Sequence, residues 1–525
     1  MGTAILAESL GTGNSAEVIV SAANLFISEG AGVSTRSFNS GNGGNVTVNA
    51  SESIQLSEFS PINPSNSSDI STVSYRDGST GDINISTKNL SIVGQIIGSL
   101  NYGFGDGGNV TVSAQNLVAM DGGAISSTTL GVGKGGDVEV NSQSIEILDF
   151  NFNTFTPSSL SASTVGTGDA GNLTVNTGSL TVKDGGRIDS STFVSGAAGS
   201  VNINARDFVE VSGTVPGSVN PSLIISSANI LDEVLQQFLG LPAIPSGNSG
   251  NIDINTPILR VNSGGEVTVK NDGTGKGGSL NINANSILLN SKGKITASTL
   301  SGEGGNIDLQ VKDGLILRNQ GLISAEAGGT GNGGNININS AVIAGVENSD
   351  IIANALQGNG GNIDINTQGL FGLNFRDNLT AESDITASSL FGVNGTVEIN
   401  NPAIDPSSSL VELPSDVVDS SQQIASGCDI NQGSSFTVVG KGGVAANPSD
   451  SVTEVSLWNA LRDISIQDSN KRNIQVQDTS SKQIIEATGW IVDKQGNIEF
   501  VAESNTIDTK DRWKQASNCR GEIVN

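Results

Sequence analysis

The sequence predicts an all-β fold, a right-handed parallel β-helix, from three observations. An octet of the form GGNVTVNA recurs, its copies stand at a near-constant spacing, and each alternates apolar with polar residues. Close copies lie at 43–50, 107–114, 135–142, 333–340 and 360–367, and looser ones at 80–87, 170–177, 198–205, 249–256, 277–284, 304–311 and 394–401. SAEVIVSA at 15–22 keeps the alternation without the glycines.

Measured between glycines such as Gly108, Gly136, Gly278 and Gly305, the base period is 27–29 residues, and longer gaps add an insertion to it. A first strand, Val46–Asn49, is followed by a second, Ser53–Leu56, and a third resembles Ala124–Ser127. Period-two alternation marks strands with one buried face. Three short strands per repeat without a helix fit one coil of a β-helix, and about 13 coils stacked about 4.8 Å apart would give a rod on the order of 60 Å. Val46 and Val48, Ile252 and Ile254, Ile336 and Ile338, and Ile363 and Ile365 are the expected core. The Gly pair is expected to supply the positive φ of a tight corner. The Asn that follows (Asn45, Asn109, Asn251, Asn306, Asn335, Asn362) is expected to stack into a side-chain ladder.

This β-helix domain spans 1–401, with insertions at 54–80, 148–160 and 213–247. Within the last, Ile230, Leu231, Val234, Leu235, Phe238 and Leu239 fall at helical spacing, so a short amphipathic helix is expected from about Leu231, capping one flank. Phe150, Phe152 and Phe155 concentrate in 148–160 of a chain otherwise poor in aromatics. These residues, with Leu235 and Phe238, are the candidate contact loops; the alternative for each cluster is packing onto its own coil. After 401 the repeat stops. Residues 402–421 are a Pro/Ser-rich linker, and 422–525 form a small α+β tail with a helix near 454–463 and a hairpin at 489–502.

The balance of 52 acidic against 25 basic residues gives a net charge of −27, which argues against nucleic-acid binding, since that requires Lys and Arg to neutralise phosphates. Gly is 68 of 525 and aromatics are 4 %, too glycine-rich and aromatic-poor for an ordinary sandwich. No apolar run of 18 or more residues is present to span a membrane as a helix. The first residues carry Glu8 where the apolar region of a signal peptide would be. Cys428 and Cys519 are either two buried thiols in a reducing compartment or, if the protein is exported, one disulfide closing the tail.

With no His in the chain, Ser-His-Asp and Cys-His catalysis and His-based metal sites are excluded. Many parallel β-helices are polysaccharide lyases or hydrolases, which makes this the main rival class, and such an enzyme needs a carboxylate cluster or a basic residue in a groove. Its candidates are Asp137 with Glu139, or Asp253, Asp308 and Asp364, which could align across coils on the outward face. Calcium repeats are approached only at Gly105-Asp106-Gly107-Gly108, which does not recur in register, and GKGG at 440–443 lacks a phosphate-loop frame. No cofactor is expected.

Beyond the repeats, SDITASS at 383–389, FGVNGTVEINNPAIDPSSSLVELP at 391–414, GCDI at 427–430, SSFTVVGKGGVAANPSD at 434–450 and ATGWIVDKQGNIEFVAE at 487–503 stand out. Together with the octets they resemble the cyanobacterial filamentous-haemagglutinin-like exoproteins, over nearly the whole chain. The resemblance implies a non-catalytic, adhesin-like protein, secreted or at the cell surface. A separate outer-membrane barrel would export it by two-partner secretion, and it would contact surface glycans or other cells. Family members begin with a signal peptide and a secretion domain rich in NPNGI-like motifs. This chain enters the repeats by Ser15 and is expected to correspond to the C-terminal portion of such a protein.

Overall fold

The computed structural model describes residues 4–61, 67–230, 240–401, 489–492 and 498–501, with Glu233, Gln236 and Gln237 in addition. Two units separate by contact, 1–415 and 416–525. The first is all-β, and its long parallel sheets are consistent with a solenoid. In the second, Gly489–Val492 pairs antiparallel with Ile498–Val501, the hairpin expected from the sequence. The linker, the helix near 454–463, Cys428 and Cys519 lie outside the described residues.

Of the two long sheets, the 16-stranded one follows the octets. Val18, Val46, Ile83, Val110, Val138, Leu173 and Val201 are successive register partners. Ile252, Leu280, Ile307, Ile336, Ile363 and Val397 continue the column. Each is a branched residue facing inward, which is why the column forms: a single coil cannot bury its apolar face, whereas a stack buries it at every rung but the last, where Val397 is half-buried. Val46, Val110, Leu173, Val201, Ile252 and Leu280 are 0 % exposed.

The expected first and second strands are often one strand. Val46–Leu56, Leu173–Lys183 and Ser279–Asn290 run through the bend, with a register shift there, for example between Thr177 and Ser179. Elsewhere three separate segments remain, as in Val110–Ser113, Asn116–Met120 and Ala124–Thr129. The third segments build the 14-stranded sheet, which begins with Ala4–Ser9 paired to Gly32–Ser37, residues that carry no octet. It ends with Asn374–Phe375 lying outside Asp384–Thr386.

The role expected of the glycine pair needs correction. None of Gly43, Gly44, Gly107, Gly108, Gly135 and Gly136 is among the glycines of positive φ. They are needed because backbone passes over backbone. A Cβ on Gly44 would lie 2.0 Å from the Ala16 carbonyl oxygen, and one on Gly108 would lie 1.9 Å from that of Gly81. Positive φ is used instead at the turn into the third segment, at Asp121-Gly122, Asp184-Gly185 and Ser263-Gly264.

The third segment also departs from simple alternation, because it buries small polar residues next to its apolar ones. Thr35, Thr72, Ser127, Ser190 and Ser226 are 0 % exposed. Their hydroxyls donate to the carbonyls of the opposing corner glycines: Thr35 to Gly44 at 2.6 Å, Thr72 to Gly81 at 2.8 Å, Ser190 to Gly171 at 2.8 Å. The glycine corner and the Ser/Thr run are therefore two halves of one contact.

The insertions are narrower than the sequence suggests. Within 54–80, Ile54 and Leu56 finish one strand and Asp69–Ser74 forms the next, leaving 57–68 as the added segment. Leu223–Ala228 is a regular strand inside 213–247, so that stretch is two insertions, 213–222 and 229–247, flanking one rung. Within 148–160, Phe150–Asn151 pairs with Thr156–Pro157 in a small antiparallel hairpin.

Candidate functional site

Alternation leaves the outward residues of the octets as the surface of the stack. Two columns of them run along it. In one, Asn141, Asn176, Asn204, Asn255, Asn283, Gln310, Asn339, Asn366 and Asn400 are register partners in turn. Asn176 donates to Asn141 at 2.9 Å, Asn204 to Asn176 at 3.0 Å and Asn255 to Asn204 at 3.1 Å. Beyond the break, Asn339 donates to Gln310 at 3.3 Å and Asn400 to Asn366 at 3.1 Å.

The second column holds the carboxylates suspected from the sequence. Asp253, Asp308 and Asp364 do align, but Asn281 and Asn337 stand between them. Asn281 donates to Asp253 at 2.8 Å and Asn337 to Asp308 at 2.6 Å. Alternating amide with carboxylate separates the charges from Asp253 to Asp364, beyond which Asp364 faces Glu398 on the adjacent strand. Glu139 sits on this face with Asn141 as its partner, whereas Asp137 accepts the backbone N–H of Asn172 at 2.7 Å.

That last contact belongs to the corner Asn column, where the expected side-chain ladder bond forms between Asn362 and Asn335 at 3.2 Å but most bonds run from side chain to backbone. Asn45 accepts the backbone N–H of Asp82, Asn109 that of Asp137, and Asn335 that of Asn362, at 2.9, 2.9 and 3.1 Å. Each side chain thus satisfies an amide of the next coil at the point where the sheets break.

Between the first and second segments the bend opens two grooves that meet at Asn283. One, of about 550 Å3, is lined by Asn283, Gln310, Lys312, Asn339, Asn366, Gln368 and Asn400. The other, of about 430 Å3, is lined by Asn204, Arg206, Asn255, Pro257, Asn283 and Asn285. Small inward residues make the floor: Ala205, Thr256, Ala284, Val311, Ser340 and Thr367 are all buried.

Of the suspected contact loops, the Phe hairpin is the one described. Phe150 and Phe152 meet edge-on at 5.4 Å, while Phe152 and Phe155 are 54 % and 76 % exposed. Asn151 fixes the turn by accepting the N–H groups of Asn153 and Thr154. Leu235 and Phe238 lie outside the described residues; beside them Glu233, Gln236 and Gln237 are helical.

A second aromatic group escaped sequence reasoning. Phe38, Tyr75 and Tyr102 stack on consecutive coils with ring centroids 4.8 and 5.4 Å apart. Their spacing equals that of Gly44, Gly81 and Gly108, so the repeat period itself was the signal. Also unforeseen is a buried carboxylate at Asp384, which is 0 % exposed, pairs with Arg376 and accepts the Thr380 N–H at 2.5 Å. Burial pushes its carboxyl up, but Arg376 and the Thr380 amide and hydroxyl outweigh this and hold it below the ordinary carboxylate value.

Among the described residues, no group of three or more His, Cys, Asp or Glu side chains is gathered to hold a metal. No helix among them is long and apolar enough to cross a membrane. Compared with protein-family models, with curated proteins and with solved structures, the chain finds no match.

Proposed function

We propose that this protein is a right-handed β-helical exoprotein of the filamentous-haemagglutinin-like type, with about 13 coils and a small C-terminal domain. It contacts surface glycans or other cells and carries out no catalysis. A partner outer-membrane barrel exports the protein it belongs to, and it works outside the cell or at its surface. The observation that carries this reading is how the repeat's residues are used. The inward Val, Ile and Leu, the corner glycines and the corner Asn are all consumed in stacking coil on coil. What remains for interaction is the outer surface and the exposed Phe152 and Phe155. The junction and tail motifs at 383–389, 391–414 and 487–503 support the family assignment.

The rival reading, a carbohydrate-active enzyme, rests on the Asp253–Asp308–Asp364 column. Asp253, Asp308 and Asp364 stand two coils apart, about 9.6 Å, whereas Asp364 and Glu398 are register partners on adjacent strands, about 4.8 Å apart. An inverting pair stands about 6.5–9.5 Å apart and a retaining pair about 5–5.5 Å. An amide is bonded beside each of Asp253 and Asp308, so that part of the column fits ladder stabilisation, and Asp364 with Glu398 is the pair the rival reading would use.

The experiment is retention of the labelled full chain on intact cells. Binding is expected to fall severalfold in a Phe152→Ala/Phe155→Ala double variant of unchanged circular dichroism. Failure of the wild-type chain to bind any cell surface or glycan array would overturn the reading.

A further inference from the structure

We infer that the groove along the Asn column is a binding site for an extended, uncharged, hydroxyl-rich polysaccharide. The inference rests on the non-catalytic glycan-contact reading and names a surface other than the loops. Three features of the groove point to it.

The first is shape. Side chains at Asn204, Asn255, Asn283, Gln310, Asn339 and Asn366 form one wall, those of Arg206, Lys312 and Gln368 the other. The residue between each pair turns inward and is small, so the floor stays low for several rungs. Successive rungs of the trough are about 4.8 Å apart, close to the length of one sugar unit in a ribbon-like chain.

The second feature is chemistry. Each carboxamide offers two N–H donors and a carbonyl with two lone pairs. Within the ladder Asn204 donates one N–H to Asn176 and accepts one from Asn255, which leaves it one donor and one lone pair for a ligand. A row of paired donors and acceptors is what sugar hydroxyls, themselves donor and acceptor, can match at every rung. From Asn141 to Asn400, Asn283 alone has a carboxamide with no bond to another described residue, and it is exposed where the two grooves meet. An unbonded amide at the centre of the trough is free to bond a ligand without first breaking a ladder contact.

The third is charge. Arg206 and Lys312, the only charged residues lining the grooves, are outnumbered by Asp253, Asp308, Asp364 and Glu398 in the neighbouring column. The chain as a whole carries −27. An anionic polysaccharide would meet repulsion along this face, and a neutral one would not.

The test is titration calorimetry of the full chain with cellohexaose, mannohexaose and an alginate oligomer of similar length. Saturable binding of at least one neutral hexasaccharide is expected, with alginate at least tenfold weaker. Asn283→Ala should weaken it by about three- to tenfold, the worth of one or two hydrogen bonds. Asn283→Trp/Asn339→Trp, which fills the trough from exposed positions, should abolish it with the circular dichroism unchanged. The Phe152→Ala/Phe155→Ala variant should bind the hexasaccharide as the wild type does. No binding by either neutral hexasaccharide, equal binding of alginate, or indifference to both Asn283 variants would overturn the groove assignment. Loss of binding in the Phe variant alone would also overturn it, while leaving the loop-contact reading intact.

Discussion

Gly108 and Gly13 are both glycines of this chain, and they should respond oppositely to a methyl group. A Cβ on Gly108 would sit 1.9 Å from the Gly81 carbonyl oxygen, whereas one on Gly13 meets nothing within 4 Å. Gly108→Ala is expected to cost about 1–3 kcal/mol through overpacking, and Gly13→Ala to stay within about 0.5 kcal/mol, both read by thermal unfolding. Asp69 gives a pH-dependent test. Burial pushes its carboxyl above the ordinary value, against the Ser71 hydroxyl and the Arg36 charge. The folded state therefore holds this proton more tightly than the unfolded chain. Its contribution to stability is greatest below the ordinary carboxylate value and falls as pH rises through the raised one. Asp69→Asn should raise the melting temperature at pH 7, with the gain shrinking toward pH 3; a constant difference across that range would contradict the assignment. At this scale the sequence was legible where a residue's neighbours are its own repeat. Val46, Ile252 and Ile363 were placed in the core from alternation alone, and they are there. The glycine pair was assigned its position but the wrong reason, because carbonyl approach from the adjacent coil leaves no trace in one octet.

Among the elements, the interrupted rungs carry what the period does not predict. The strand Leu223–Ala228 was hidden because Pro216, Pro221, Pro242 and Pro245 surround it and no octet follows for twenty-odd residues. Its partners, Arg187–Thr192 and Glu266–Asn271, identify it only once the stack is formed. Ala4–Ser9 was read only as a failed leader, since its pairing with Gly32–Ser37 depends on a third segment whose Ser and Thr face inward. The last rungs of the described sheet depend on a different device. Asp384 is buried against Arg376, and its backbone N–H bonds to Asp350 at 2.9 Å. Arg376→Ala would leave a buried carboxylate without its cation. Amide exchange around 350–386 at pH 7 should then quicken by about tenfold or more, with strands near Val110 unaffected. Since the Asp384 carboxyl lies below its ordinary value, the wild-type advantage persists through neutral pH and is lost as pH falls through that lowered value.

For the whole molecule, stacking makes stability a sum over neighbouring coils. A cavity in a central coil is then felt by its two neighbours first. Ile254→Ala, at a position 1 % exposed, should cost about 2–5 kcal/mol, seen as a lower midpoint in denaturant unfolding. Function was the least legible at this scale, because the same octet serves a scaffold, an adhesin or an enzyme, and only outward columns and broken rungs distinguish them. The central claim is that this surface binds glycans without transforming them. The measurement that tests it most directly is incubation of the full chain with a polysaccharide panel, following retention and the release of reducing or unsaturated ends together. Retention with chain lengths unchanged is the predicted result. Turnover that disappears in Asp308→Asn or Asp364→Asn would contradict it.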